Sequence, residues 1–299
     1  MFMRTTSFVK TDKVRSDYEE IASSEENSVG KAQKYYDSNS ADRYYFNIWG
    51  GEHIHVGIYF HENEPIKDAS PRIVHMMASQ VGLSNQTKVL DIGSGYGGGA
   101  RFLAKTFGCR VTCLNLSHTQ NERNESFNKD QGLMHKIEVV QGNFEDMPFP
   151  NESFDIIWSQ DAIVHSSNRE KVITEVSRLL RKNGNFIFTD LMQSSDCPKS
   201  ALKPVLERIH LQSLGSFGYY FEVARKSGLK KGHLVDLSSH LTTHYKRVLD
   251  ETQKRYDEMI DVCGKNYIDT MIKGLGHWVE AGKKGYLAWG IMNLSKIQF

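Results

Sequence analysis

The sequence predicts an α/β fold: a doubly wound, mostly parallel sheet flanked by helices and carrying a helical cap. Three observations predict it. Residues 89–92 form a short apolar run that ends on Gly93-Ser94-Gly95-Tyr96-Gly97-Gly98-Gly99, and helix-forming residues follow from Ala100, which reads strand, tight turn, helix. Four more apolar runs alternate with capped helical segments as far as residue 191, the order that builds parallel strands joined by crossover helices. On either side of that stretch, apolar residues recur at helical spacing, so both flanks can supply a cap.

Residues 1–30 are rich in Ser, Glu and Asp and lack the continuous apolar core of a secretory signal; they read as a flexible leader. Residues 31–85 read as an N-terminal helical cap. Its first helix carries Tyr36, Tyr44, Tyr45 and Ile48 on one face, and a second is expected over 71–82, opened by Pro71 and closed by Gly82. Residues 86–299 form the core. Strands are expected at 88–92, 110–116, 137–141, 154–159 and 185–191. Ser117 with Gln120, and Ser167 with Glu170, have the spacing of helix caps, and the second of these helices ends before Gly184. Further on, helices are expected over 199–211 and 219–227, a sixth strand over 232–237, and a helical insertion over about 238–284, where Leu241, Tyr245, Leu249, Tyr256 and Ile260 keep a helical period.

With 299 residues, 39% of them hydrophobic, the chain can bury a sizeable core. Its 37 basic and 36 acidic residues are interspersed and leave a formal charge of +1, which gives no field to gather nucleic acid or an anionic membrane. A small-molecule substrate is expected instead. The four cysteines, Cys109, Cys113, Cys197 and Cys263, show no C-x-x-C pair and no disulfide framework, which points to a reducing, cytoplasmic compartment. Cys109 and Cys113 lie four apart on a strand, too far along it to share a metal, and no metal is expected.

The glycine turn carries the chemistry. Gly93, Gly95 and Gly98 satisfy the dinucleotide spacing G-x-G-x-x-G, which alone is a weak signal. Asp91 changes the balance, because a carboxylate just before the first glycine is badly placed beside a pyrophosphate and well placed beside a cation. With Leu90, Asp91, Gly93, Gly95 and Gly97 in place, the chain resembles the class I S-adenosylmethionine-dependent methyltransferases, and similarity of that kind continues to about residue 192. The resemblance implies a seven-stranded Rossmann-like sheet whose last strand, over 288–299, is antiparallel, and S-adenosylmethionine as cofactor. It places that cofactor against Ile54, His55, Asp91, Gly93, Gly95, Asn115, Leu116, Gln120, Asn143, Phe144 and Gln160. Asn115 stands where the fold usually has an acid for the ribose hydroxyls; an amide oxygen still accepts from them without charge assistance, and the alternative is an Asn that only turns the chain.

Two further stretches narrow the substrate. The aromatic series Tyr44-Tyr45-Phe46-Asn47-Ile48-Trp49-Gly50-Gly51-Glu52-His53-Ile54-His55-Val56-Gly57-Ile58-Tyr59, together with Ser159-Gln160-Asp161-Ala162-Ile163-Val164-His165, is similar to small-molecule amine methyltransferases, both those acting on phosphoethanolamine and those making betaine from glycine, sarcosine and dimethylglycine. An aromatic face holds a quaternary ammonium by cation–π attraction, although each ring can equally serve packing. An alkylammonium with a pKa near 10.4 costs about 4.6 kcal/mol to deprotonate at pH 7, so a base is needed. His165 is the candidate, with Asp161 contacting the ammonium or orienting the imidazole if the turn between them is helical; the rival reading is a His that caps the following helix. The phosphobase branch closes its site with a Tyr and a His four residues after an Asp, which implies Tyr36, Asp161 and His165 here, the match at Tyr36 requiring one inserted residue.

That branch also holds phosphate with an Arg and Tyrs after the fifth strand, and residues 207–212 do not keep both in register. The Trp-Gly-Gly-Glu-His stretch and Cys113-Leu114-Asn115-Leu116-Ser117 are closer to the sarcosine and dimethylglycine enzymes. Methylation of sarcosine and dimethylglycine toward glycine betaine is therefore the expected activity, with Tyr44 and Trp49 facing the amine and Arg43, His53 or Arg208 facing the carboxylate. The alternatives are phosphoethanolamine, or a carbon acceptor on a sterol, quinone or lipid, which calls for an apolar tunnel and a membrane-facing patch. A binding module without turnover would need no base.

Overall fold

The structure, a computed structural model, describes residues 30, 33, 37, 39–198, 200–208 and 211–296. The leader before residue 30 and Tyr36 lie outside the described residues.

The cap begins with α1 (Asn39–Tyr45), which continues into a π-helical turn, Phe46–Gly50. Helix α2 (Ile66–Ala78) buries Ile66, Ala69, Ile73, Val74 and Met77. Pro65 rather than Pro71 opens it, and Ser79 rather than Gly82 closes it. Pro71 removes the N–H that would reach the Lys67 carbonyl, but Lys67 is exposed, so water can replace that bond while the apolar face stays buried.

The core then alternates: β1 (Lys88–Ile92), α3 (Gly98–Phe107), β2 (Arg110–Asn115), α4 (His118–Asp130), β3 (Ile137–Gln141), β4 (Phe154–Gln160), a 3-10 turn at Ile163–His165, α5 (Arg169–Leu179) and β5 (Leu180–Thr189). After it come β6 (Met192–Gln193), α6 (Lys203–Arg208), α7 (Phe217–Lys226), β7 (Leu229–Asp236), α8 (Ser238–Lys254), α9 (Tyr256–Cys263), α10 (Lys265–Lys283), β8 (Leu287–Ala288) and β9 (Gly290–Lys296). The seven-stranded sheet runs β3-β2-β1-β4-β5-β9-β7. Its pairs from β3 to β5 are parallel, and β9 lies antiparallel between β5 and β7.

Period-two alternation splits the sheet's side chains between two cores. Val89, Val111, Ile156, Trp158, Ile187 and Ile291 face the cap, while Leu90, Ile92, Ile157, Phe186, Phe188 and Met292 face α5 and α7. The cap is tied across the sequence by the Tyr44 hydroxyl to Thr252 at 2.7 Å and by Arg255 to the Asn47 carbonyl at 2.7 Å.

Several local expectations are corrected. Ser117 does cap α4, accepting from the Gln120 amide at 3.2 Å, but α5 is capped by Asn168, which accepts from the Lys171 amide at 3.0 Å. Ser167 is taken by Glu145 instead. Helix α5 passes straight into β5, so Gly184 lies within that strand. Of the helix expected over 199–211, the described residues show α6; residues 199, 209 and 210 lie outside them. The strand expected over 288–299 is interrupted at Trp289: β8 pairs with β6 in a separate ribbon and β9 joins the main sheet, which turns the Trp289 indole toward the site. Residues 297–299 lie outside the described residues.

Candidate active site

The carboxyl ends of β1, β2, β3, β4 and β5 open on one crevice, where an α/β sheet binds its ligand. A cleft enclosing about 1180 Å³, mouth included, is lined there by Ile54, His55, Gly93, Gly95, Asn115, Leu116, Gln120, Asn143, Phe144, Gln160, Asp161, His165, Trp49 and Arg208. A smaller recess continues from it under the glycine turn and is lined by His53, Ile54, His55, Asp91, Gly93, Gly95 and Gln160.

The glycine turn needs its glycines. Gly93 has φ +72 and a Cβ there would lie 2.3 Å from the Ala162 side chain; Gly95 has φ +52 with Ile54 3.0 Å from such a Cβ. Any other residue would be strained and would close the crevice. In the recess, Asp91 is buried and its carboxyl is pushed up to about 7 by loss of solvent. Gln160 accepts from the Trp158 indole at 3.0 Å, and its buried amide nitrogen has no partner among the described residues. A carboxylate that lacks a cation and an amide that lacks an acceptor are what the ammonium and carboxylate of a methionine tail would complete. The recess thus fits S-adenosylmethionine.

The side chains expected to meet the nucleoside are oriented by the protein as well. The Asn115 side-chain N–H donates to Gln120 at 3.0 Å, which leaves its oxygen as the acceptor. The Asn143 oxygen accepts from the Glu145 amide at 2.9 Å, which orients the side chain beside Phe144. Glu145 then receives Ser166 at 2.7 Å, the Ser167 amide at 2.8 Å and the Asn168 amide at 3.1 Å, fastening the loop after β3 to the start of α5. Sequence reasoning missed Glu145; the signal was the Ser166-Ser167-Asn168 run of free donors at a helix start.

Asp161 and His165 share the cleft, but not through a helical turn. Asp161 has φ 52 and a 3-10 turn follows it. Its two carboxylate oxygens accept from the Val56 amide at 2.8 Å and the Trp289 indole at 2.8 Å, so Asp161 ties the cap to two strand ends rather than orienting the imidazole. His165 is half-buried in the cleft wall, and its pKa is pushed down to about 4, by loss of solvent around the ring first and then by Arg169 and Arg208. It is a neutral imidazole at neutral pH, able to take a proton. His55 donates from Nδ1 to the Val56 carbonyl at 3.0 Å, so its Nε2 accepts from His53 Nδ1 at 3.1 Å.

The remaining candidates divide. Trp49 and Arg208 line the cleft, and the Arg208 guanidinium lies 5.7 Å from the Tyr245 ring and 5.8 Å from that of Trp278. Tyr44 is packed behind the wall, and its neighbour Tyr45 lines the cleft in its place. Arg43 is exposed and points to the Val262 carbonyl, and His53 faces the recess. His244, Tyr245 and Leu191 also line the cleft; the helical period flagged Tyr245 as apolar and passed over His244 beside it. The four cysteines are free thiols, three of them buried, and no group of side chains suited to a metal occurs among the described residues.

A methyltransferase domain model matches residues 90–188. The chain is 50% identical to a sarcosine/dimethylglycine N-methyltransferase of Aphanothece halophytica over 89% of this chain and 96% of that one. It is 46% identical to the sarcosine/dimethylglycine N-methyltransferase of Halorhodospira halochloris over 91% and 98%. A crystal structure assigned as a sarcosine dimethylglycine methyltransferase from Galdieria sulphuraria superposes with a TM-score of 0.84 at 40% identity, covering 88% of this chain and 99% of that one. The chain belongs to the sarcosine/dimethylglycine N-methyltransferase family of S-adenosylmethionine-dependent methyltransferases.

Proposed function

We propose that this chain methylates the nitrogen of sarcosine and then of dimethylglycine, ending at glycine betaine. The observation that carries the reading is the joining of two compartments in one cleft: a recess suited to a methionine tail opens on a compartment with a neutral imidazole, a guanidinium and aromatic walls. The relatives' activity on sarcosine and dimethylglycine supports the choice of acceptor.

S-adenosylmethionine supplies an electrophilic methyl group on a sulfonium. The chain's own work is positioning and proton removal, since an in-line displacement gains most from correct placement. His165 accepts the proton of the acceptor ammonium. A substrate carboxylate beside Arg208 offsets the positive charge that helps hold His165 low, so acceptor binding makes the base stronger. Tyr45, Trp49 and Tyr245 face the ammonium that forms. Asp161 holds the loop that carries His165 against the cap.

Transfer of labelled methyl across glycine, sarcosine, dimethylglycine, phosphoethanolamine and an apolar sterol tests this. Label in dimethylglycine and betaine is expected. Label confined to phosphoethanolamine or the sterol overturns the choice of acceptor.

A further inference from the structure

Two buried side chains at the acceptor end carry nitrogens that no described residue satisfies. Trp49 is 4% exposed and its indole N–H has no partner among the described residues; His244 is 0% exposed and its Nε2 has none either. Both line the cleft, and their rings are 5.5 Å apart. A donor left unpaired in the interior costs about 1–3 kcal/mol, so two side by side indicate a ligand that accepts.

The proton on His244 can be assigned. Its Nδ1 lies 2.8 Å from the Tyr59 hydroxyl, and the buried phenol has no other side-chain acceptor among the hydrogen bonds described. With the phenol donating to Nδ1, the imidazole proton is on Nε2. Burial keeps the ring neutral, pushing its pKa down to about 3.

We propose that the Trp49 and His244 N–H groups together receive the two oxygens of the acceptor's carboxylate, with Tyr59 as the positioning residue that fixes the His244 tautomer. Arg208, against the ring of Tyr245 next in the chain, supplies the charge; the two neutral donors supply direction. Donors alone repel an ammonium, and one guanidinium with two neutral N–H groups matches a monoanionic carboxylate better than a phosphate dianion. This inference rests on the amino-acid acceptor proposed above.

The test compares dimethylglycine with N,N-dimethylethanolamine, which replaces the carboxylate by a hydroxymethyl group. Trp49→Phe keeps the ring and deletes the donor; it should raise KM for dimethylglycine about tenfold, the worth of one hydrogen bond, with a much smaller change in kcat and in cofactor Kd. KM for dimethylethanolamine should move far less, so discrimination between the two falls. Tyr59→Phe should move the same ratio in the same direction. In the wild-type protein, the indole N–H resonance that Trp49→Phe removes should shift on adding dimethylglycine. Equal KM changes for both acceptors, or an indole resonance that ignores dimethylglycine, would overturn the two-donor carboxylate site while leaving the methylation reading intact. A wild-type protein that methylates no glycine-derived acid would overturn both.

Discussion

Trp289 donates its indole N–H to Asp161 at 2.8 Å, and this bond joins the residue after β4 to the residue between β8 and β9. Asp161 stands at φ 52, a conformation that costs a non-glycine residue about 1–3 kcal/mol. Its amide to the Thr189 carbonyl at 3.0 Å and its carboxylate to Val56 at 2.8 Å hold it there.

Asp161→Asn should therefore do more than remove a charge. One oxygen becomes an NH₂ that meets an N–H donor, so unfolding in urea is expected to show a loss of about 1–3 kcal/mol, together with reduced turnover. A midpoint equal to the wild type would show that Val56 and Trp289 do not depend on this carboxylate.

His165→Ala should lower turnover about a hundredfold while calorimetry finds cofactor affinity near normal. With the free-enzyme imidazole at about 4, His165 is already deprotonated between pH 5.5 and 8. Over that interval kcat/KM should follow ionisation of the acceptor amine. A bend of enzyme origin near 6.5, absent in His165→Ala, would mean the imidazole is fully solvated rather than shielded by the cleft wall.

Asp91→Asn separates stability from binding. Below the unfolded-state pKa of 3.8 both states hold the proton and burial carries no penalty. As pH rises toward the folded value of about 7, the unfolded chain ionises first and stability is lost, with a plateau above 7. Without cofactor, the Asn variant should accordingly exceed the wild type by up to about 4 kcal/mol at pH 8, and the difference should fade near pH 4. Cofactor affinity should drop at least about tenfold, the loss of one charge-assisted bond. A variant that binds the cofactor normally would remove Asp91 from the recess chemistry.

Arg208→Met should raise KM for dimethylglycine by about tenfold or more, and Arg208→Lys by less, because a guanidinium fork suits a carboxylate better than an ammonium. Steady-state kinetics with sarcosine and dimethylglycine check this. The same KM in all three proteins would place the carboxylate elsewhere.

The amino-acid sequence by itself determined the strands at 88–92 and 137–141, the glycine turn, the acid before it and the helical insertion, because each is set by neighbours within a few residues: alternation, periodicity and a turn that tolerates only glycine. Tertiary structure decided the rest of the site. Tyr45 rather than Tyr44 faces the cleft, since Tyr44 is committed to Thr252, 208 residues away. Asp161 answers to Val56 and Trp289 instead of His165, Glu145 fastens a distant helix start, and His244 reaches the cleft from the insertion. Spacing along the chain cannot register such partners, because they meet only where separate elements converge at the carboxyl edge of the sheet.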